Sequence, residues 1–121
     1  MVRAIAALLV VLTSGCREEV TMLTQDQLAA LLVQDRKIAL NRAGVTGAAS
    51  VNADQSFDVE IPRLGRDTGV WWLESDRICS RWETFRKDQD LCAVVGQVED
   101  GTYRGYTPGR GSYLGKFTIL P

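Results

Sequence analysis

The chain has 121 residues, 14 basic and 15 acidic side chains, a formal net charge of −1 and no histidine. That length allows one domain, and the near-neutral balance argues against a nucleic-acid partner, which draws on a strong basic excess. The missing histidine excludes Ser-His-Asp and Cys-His catalysis, His-ligated metal sites and the commonest general base.

Residues 1–15 read as a signal peptide. Met1-Val2-Arg3 is a short positive start, and Ala4 to Leu12 is an apolar run of nine residues. Such a run is too short to cross a hydrocarbon core of ~30 Å, which takes about 20 residues. Leu12-Thr13-Ser14-Gly15-Cys16 resembles the bacterial lipobox, in which small residues precede a cysteine that receives diacylglycerol and becomes the mature N-terminus. The resemblance implies a membrane partner through lipid on Cys16. Thr13 departs from the leucine usual at its position, which leaves ordinary cleavage and soluble secretion as the alternative. A buried N-terminal helix with a free Cys16 is the remaining alternative. Arg17 stands where an Asp would signal inner-membrane retention, so the expected address is the outer membrane, facing the periplasm. Cleavage leaves about 106 of the 121 residues, a size at which roughly two-thirds of the unfolded surface is buried and stability is marginal.

Residues 16–22 read as the lipidated N-terminus and tether, and 23–121 as one β-rich domain. A helix is expected over Gln25–Val33. Thr24 and Gln27 have capping-box spacing, and Leu23 and Leu28 have that of a hydrophobic staple. Leu28, Leu31 and Leu32 then share one face. From residue 37 the period shortens. Short apolar or alternating runs are expected as strands over Lys37–Asn41, Val45–Val51, Ser56–Ile61, Gly69–Glu74, Arg77–Phe85, Leu91–Val98, Thr102–Tyr106 and Leu114–Leu120. Asp100-Gly101 predicts a two-residue hairpin with both turn residues at positive φ. Pro108-Gly109 predicts a type II turn. The expected fold is mainly β: a short N-terminal helix packed on an antiparallel meander, closed as a small barrel or stacked as a sandwich.

Cys79 and Cys92 fall in adjacent expected strands joined by the charged loop Arg86–Asp90. Export favours oxidation, so one disulfide, Cys79–Cys92, is expected. Closing a loop of about 14 residues contributes roughly 3 kcal/mol in the chain-entropy view. Twelve residues separate the two cysteines and no third ligand is evident, so neither a CxxC redox pair nor a zinc pattern applies. The odd third cysteine is Cys16, which lipidation explains.

Gly69-Val-Trp71-Trp72, Arg77-Ile-Cys79-Ser-Arg-Trp82, Leu91-Cys92, Tyr103 and Gly115-Lys-Phe117-Thr-Ile119 together resemble small exported proteobacterial proteins of unknown function. Those carry a G-x-W strand, a C-x-x-W strand and a second cysteine in the next strand. The resemblance covers about residues 50–121. It implies an all-β body with one disulfide and no particular reaction.

The candidate ligand surface is aromatic and basic. Adjacent Trp71 and Trp72 must point to opposite faces of a strand, so one is core and the other is free to stack on a sugar or anchor a partner. Tyr103, Tyr106 and Tyr113 interleave with Arg104, Arg110 and Lys116 and suit an anionic glycan, a lipid headgroup or a nucleic-acid strand. The competing reading places the tryptophans in the core and assigns the nearby glycines to hairpin turns. Gly115-Lys116 is followed by Phe117, so this is no phosphate loop. Asn52, Asp54, Ser56, Asp58 and Glu60 alternate like calcium ligands, yet Phe57 and Arg63 occupy the positions that need Gly and Glu. The EF-hand reading therefore fails.

No catalytic residue, metal ligand or cofactor is expected. The leading function is a non-catalytic binding or interaction module in the cell envelope, with an envelope protein or glycan as partner. An inhibitor of an envelope or host hydrolase, using loop 86–90 or the Pro108–Gly111 tip, is the first alternative, and an enzyme the second. Side chains are expected to fill the interior of so small a barrel, which favours a surface site.

Overall fold

The computed structural model describes residues 19–109 and 111–121. The elements in chain order are β1 (Thr21–Met22), α1 (Gln25–Leu31), β2 (Arg36–Arg42), β3 (Val45–Val51), β4 (Ser56–Ile61), β5 (Gly65–Glu74), β6 (Arg77–Trp82), β7 (Asp90–Glu99), β8 (Thr102–Tyr106) and β9 (Tyr113–Ile119). Strands β2 to β9 form an antiparallel meander in which each strand pairs with the next. The ring closes where β9 returns to β2, with Ile38 opposite Ile119 and Leu40 opposite Phe117. Of the two expected architectures, the chain adopts the eight-stranded barrel. Closure removes the open edges that a sandwich would have to protect.

The hairpins follow from their turn residues. Ala43 and Gly44 have φ of 52° and 83°, the conformation that a two-residue hairpin turn needs at both central positions. Gly109 has φ of 77°, as a Pro-Gly type II turn requires. The turn at Asp100-Gly101 differs from expectation. Only Gly101 takes positive φ, and the β7–β8 ladder shifts register between Gln97 and Glu99. That irregularity supplies local twist that a primed turn would otherwise provide.

Helix α1 begins as its sequence dictates. Thr24 Oγ1 accepts from the Gln27 N–H at 3.3 Å, and Gln27 Oε1 accepts from the Thr24 N–H at 2.9 Å. The helix stops at Leu31, two residues short of the expected Val33. There the Arg36 Nε–H donates to the Leu31 carbonyl at 2.8 Å, satisfying a helix-end acceptor and turning the chain into β2. The helix plugs one end of the barrel. Leu28 is 1% exposed and packs with Leu23, Val95 and Tyr103, while Leu32 packs with Phe57, Val59 and Trp71. Burying one such leucine contributes about 1.5–3 kcal/mol.

Regular structure begins two residues before the expected domain boundary. Thr21 and Met22 pair with Gln97 and Gly96 on the edge of β7 that β6 leaves free beyond Arg77. A Cβ on Gly96 would collide with Val20, so glycine there admits the incoming chain. Cys79 and Cys92 are direct cross-strand partners, and their sulfurs are bonded. The bridge fastens β6 to β7 on the outer face, where Cys79 is fully buried.

Candidate functional site

The inward-facing positions of the barrel explain the site. Large residues, Phe57, Val59 and Trp71, fill the plugged end together with the helix leucines. Elsewhere the inward positions are small: Gly47 on β3, Ala93 on β7, Gly105 on β8 and Gly115 on β9. A Cβ placed on Gly105 would meet only ordinary contacts, at 3.9 Å from Leu114 and 4.0 Å from Ala93. Small residues on four strands leave a cavity of about 840 Å³ inside the barrel. The expectation of an interior filled by side chains is thereby corrected: one seven-residue helix is too short to occupy it.

The cavity wall is apolar. Ile38, Leu40, Val51, Ile61, Phe117 and Ile119 all line it. Each of these six remains only half-buried, although the strands that carry them belong to a closed ring. Inward-facing aliphatic side chains are ordinarily among the most buried residues of a domain. Here they face the cavity, and its volume falls in the range of ~300–1,000 Å³ that small-molecule sites occupy.

The mouth lies at the end away from the helix, among the β2–β3 turn, the β4–β5 turn and the start of β9. Val45 and Leu64 are 56% and 64% exposed there, beside Arg42, Arg63 and Lys116. The opposite arc is covered by the β6–β7 loop. Phe85 of that loop stacks on Trp82 with ring centroids 6.2 Å apart and packs on the core. Buried Asp67 holds the loop down, accepting from the Phe85 N–H at 2.7 Å and the Thr84 N–H at 3.1 Å. Burial alone would push the Asp67 carboxyl up. The N–H groups of Phe85, Thr68 and Thr84 outweigh that and hold it below the usual carboxylate range.

The plugged end is sealed by polar ties. The Trp71 indole donates to the Asn52 carbonyl at 2.9 Å, and Asp35 accepts from the Ala53 N–H at 2.8 Å. Asp54 accepts from the Ser56 N–H at 2.9 Å, which makes the 52–56 segment a turn. A smaller cleft of about 350 Å³, with a mixed polar and apolar lining, lies between Asn52 and Glu83.

The aromatic-basic surface expected from the sequence is not one surface. Trp71 and Tyr103 are buried core residues, at 7% exposure each. Trp72 lies outside on β5, with the Arg81 guanidinium 5.5 Å from its ring centroid. Arg81 is itself bridged to Asp90 at 2.9 Å and 3.1 Å. Tyr106 and Tyr113 pair across β8 and β9, with Arg104 over the Tyr113 ring at 5.7 Å. Strands β6 and β7 separate them from Trp72. Cys16 and Arg110 lie outside the described residues. Glu74, Cys79 and Cys92 come close enough together to suggest a metal site, but the sulfurs are spent in the disulfide. The cavity residues were missed because each looks like ordinary strand core. The available signal was the recurrence of glycine and alanine at inward parity in β3, β7, β8 and β9.

No family profile matches this chain, and neither a curated protein nor a solved structure is similar to it.

Proposed function

We propose that this chain is a non-catalytic binding protein that holds an apolar small molecule inside its barrel. The observation that carries the reading is the incomplete burial of inward-facing Ile38, Leu40, Ile61 and Phe117 around a cavity of about 840 Å³. Apolar surface left unburied forgoes about 25 cal/mol for each Å², so an apolar occupant gains what the fold leaves unused. Eight-stranded barrels are of a size to hold one small ligand. Among the described residues, the lining offers no carboxylate or thiol, and the chain has no imidazole. That composition supports binding over catalysis.

The place of action belongs to the same proposal. The protein is exported and tethered in the cell envelope by lipid on Cys16, facing the periplasm. The leader pattern and the Cys79–Cys92 disulfide support export. Replacing Cys16 by Ser should release the protein from the membrane fraction. A variant that stays with membranes contradicts the anchor.

The binding claim is tested by titrating the neutral fluorophore N-phenyl-1-naphthylamine into detergent-free protein. Saturable enhancement at one site per chain is expected, and the double substitution Ala93→Leu, Gly105→Val should weaken it by narrowing the cavity from β7 and β8. Absence of saturable binding to the unaltered protein, or undiminished binding to a folded double variant, overturns the reading.

A further inference from the structure

The cavity lining has a charge pattern that its apolar interior does not require. Among the described residues, it includes Arg36, Arg42, Arg63 and Lys116 but no Asp or Glu, in a chain with 15 acidic and 14 basic side chains. Arg36 sits at the plugged end, where its Nε donates to the Leu31 carbonyl. Arg42 and Arg63 share one arc of the mouth, whereas Lys116, between inward-facing Gly115 and Phe117, directs its side chain to the outer face beside Arg104. Arg42 pairs with Val45 at the start of β3. Gly47 of β3 lies against Glu60 and Ile61, which lead into the β4–β5 turn that carries Arg63. Among the described residues, neither Arg42 nor Arg63 forms an ion pair. The nearest acid in sequence, Glu60, is engaged by Arg66 at 3.5 Å.

We infer that the ligand is an amphiphile with an anionic head, its chain within the barrel and its head held at the mouth by Arg42 and Arg63. The inference rests on the proposed apolar-ligand function and adds the head-group class. A carboxylate or a phosphate ester accepts hydrogen bonds from guanidinium groups, and arginine suits both by its forked geometry. A cationic head meets like charge there, and a neutral head gains nothing from the arc.

Both arginines are solvent-exposed, so each contributes modestly and is screened by salt. Roughly two- to fivefold in affinity is expected for each.

The test is isothermal titration of dodecanoate, dodecyl phosphate, dodecanol and dodecyltrimethylammonium, each below its aggregation threshold, with N-phenyl-1-naphthylamine displacement in parallel. The two anionic ligands should bind about tenfold tighter than dodecanol, and the cation more weakly than dodecanol. The comparison of dodecanoate with dodecyl phosphate separates a fatty acid-like source from a phospholipid-like one. The preference should shrink between about 50 mM and about 500 mM salt. It should fall within about twofold in Arg42→Gln/Arg63→Gln, while binding of the neutral fluorophore is unchanged. Equal affinity for anionic, neutral and cationic dodecyl ligands in the unaltered protein overturns the head-group inference, and fluorophore binding then shows that the cavity reading survives. Failure of the fluorophore and of all four ligands overturns both.

Discussion

The two ends of the barrel use the same eight strands to opposite effect. At the plugged end, Leu28, Leu32, Val59 and Trp71 are all below 10% exposure, and Asp35, Asn52 and Thr24 each accept a hydrogen bond from backbone or indole. At the mouth, Val45 and Leu64 face solvent, and Arg42 and Arg63 stand without ion pairs among the described residues. Closing eight strands into a ring therefore does not by itself make a packed core. Filling depends on the size of the inward side chains and on what enters from the ends. Here a seven-residue helix enters one end only.

The contrast can be broken most strongly at the plug. Leu28→Ala should destabilise the fold by about 2–5 kcal/mol, read as a lower urea midpoint. Leu64→Ser at the mouth should stay within about 0.5 kcal/mol of the parent. Comparable losses at both positions would mean that the mouth is as much a core as the plug.

The disulfide comes next. Double replacement of Cys79 and Cys92 by Ala should cost about 3 kcal/mol, measured as chemical denaturation against the oxidised parent. Because the bridge lies on the outer face, affinity of the folded variant for an apolar fluorophore should be retained.

Asp67 separates the covered arc of the mouth from the open one through pH. Folding lowers its pKa below the ordinary value of 3.8. Its stabilising effect is therefore fully present above the unfolded pKa and is lost as pH falls through the depressed folded value. Denaturation midpoints measured from about pH 5 to about pH 2 should show this acid limb. Asp67→Asn should lower the midpoint at neutral pH and flatten the limb, since an amide cannot replace a carboxylate that accepts from Phe85, Thr84 and Thr68. An unchanged limb would assign the acid sensitivity to other carboxylates.

The smallest effect is at the open rim. Ala43 holds φ of 52°, which costs a non-glycine residue roughly 1–2 kcal/mol. Ala43→Asn should recover a part of that, on the order of 0.5–1 kcal/mol, since Asn-Gly is the preferred pair for this turn. Thermal denaturation checks it, and a loss of stability would mean that the turn differs from the geometry described.

Local features were legible in the sequence. The Thr24–Gln27 capping box, the Leu23–Leu28 staple, the Cys79–Cys92 bridge and most strand positions depend on neighbours within a few residues or on an adjacent strand, and these appear as expected. Three features were not legible, for one common reason. The Thr21–Met22 strand has two residues and no periodicity of its own; it exists because Gly96 and Gln97 present a free edge. Strand β5 begins at Gly65, four residues before the expected Gly69, because β4 extends the ladder as far as Ile61 opposite Gly65. The cavity depends on how far apart opposite walls stand, and that is set by strand number and closure rather than by any single run. The same limit applies to the aromatics. Alternation places Trp71 and Trp72 on opposite faces, but the distribution of Trp72, Tyr106 and Tyr113 around the ring follows only from the closed topology.

The proposed function requires an apolar ligand to enter the barrel. Methyl-resolved NMR during titration with N-phenyl-1-naphthylamine tests it directly. Shifts are expected at Leu40, Ile61, Ala93 and Ile119, which line the cavity, with Val33 and Val70, both exposed outside it, unmoved. Shifts confined to the outer methyls of Val33 and Val70 would contradict it and return the site to the barrel's outer surface.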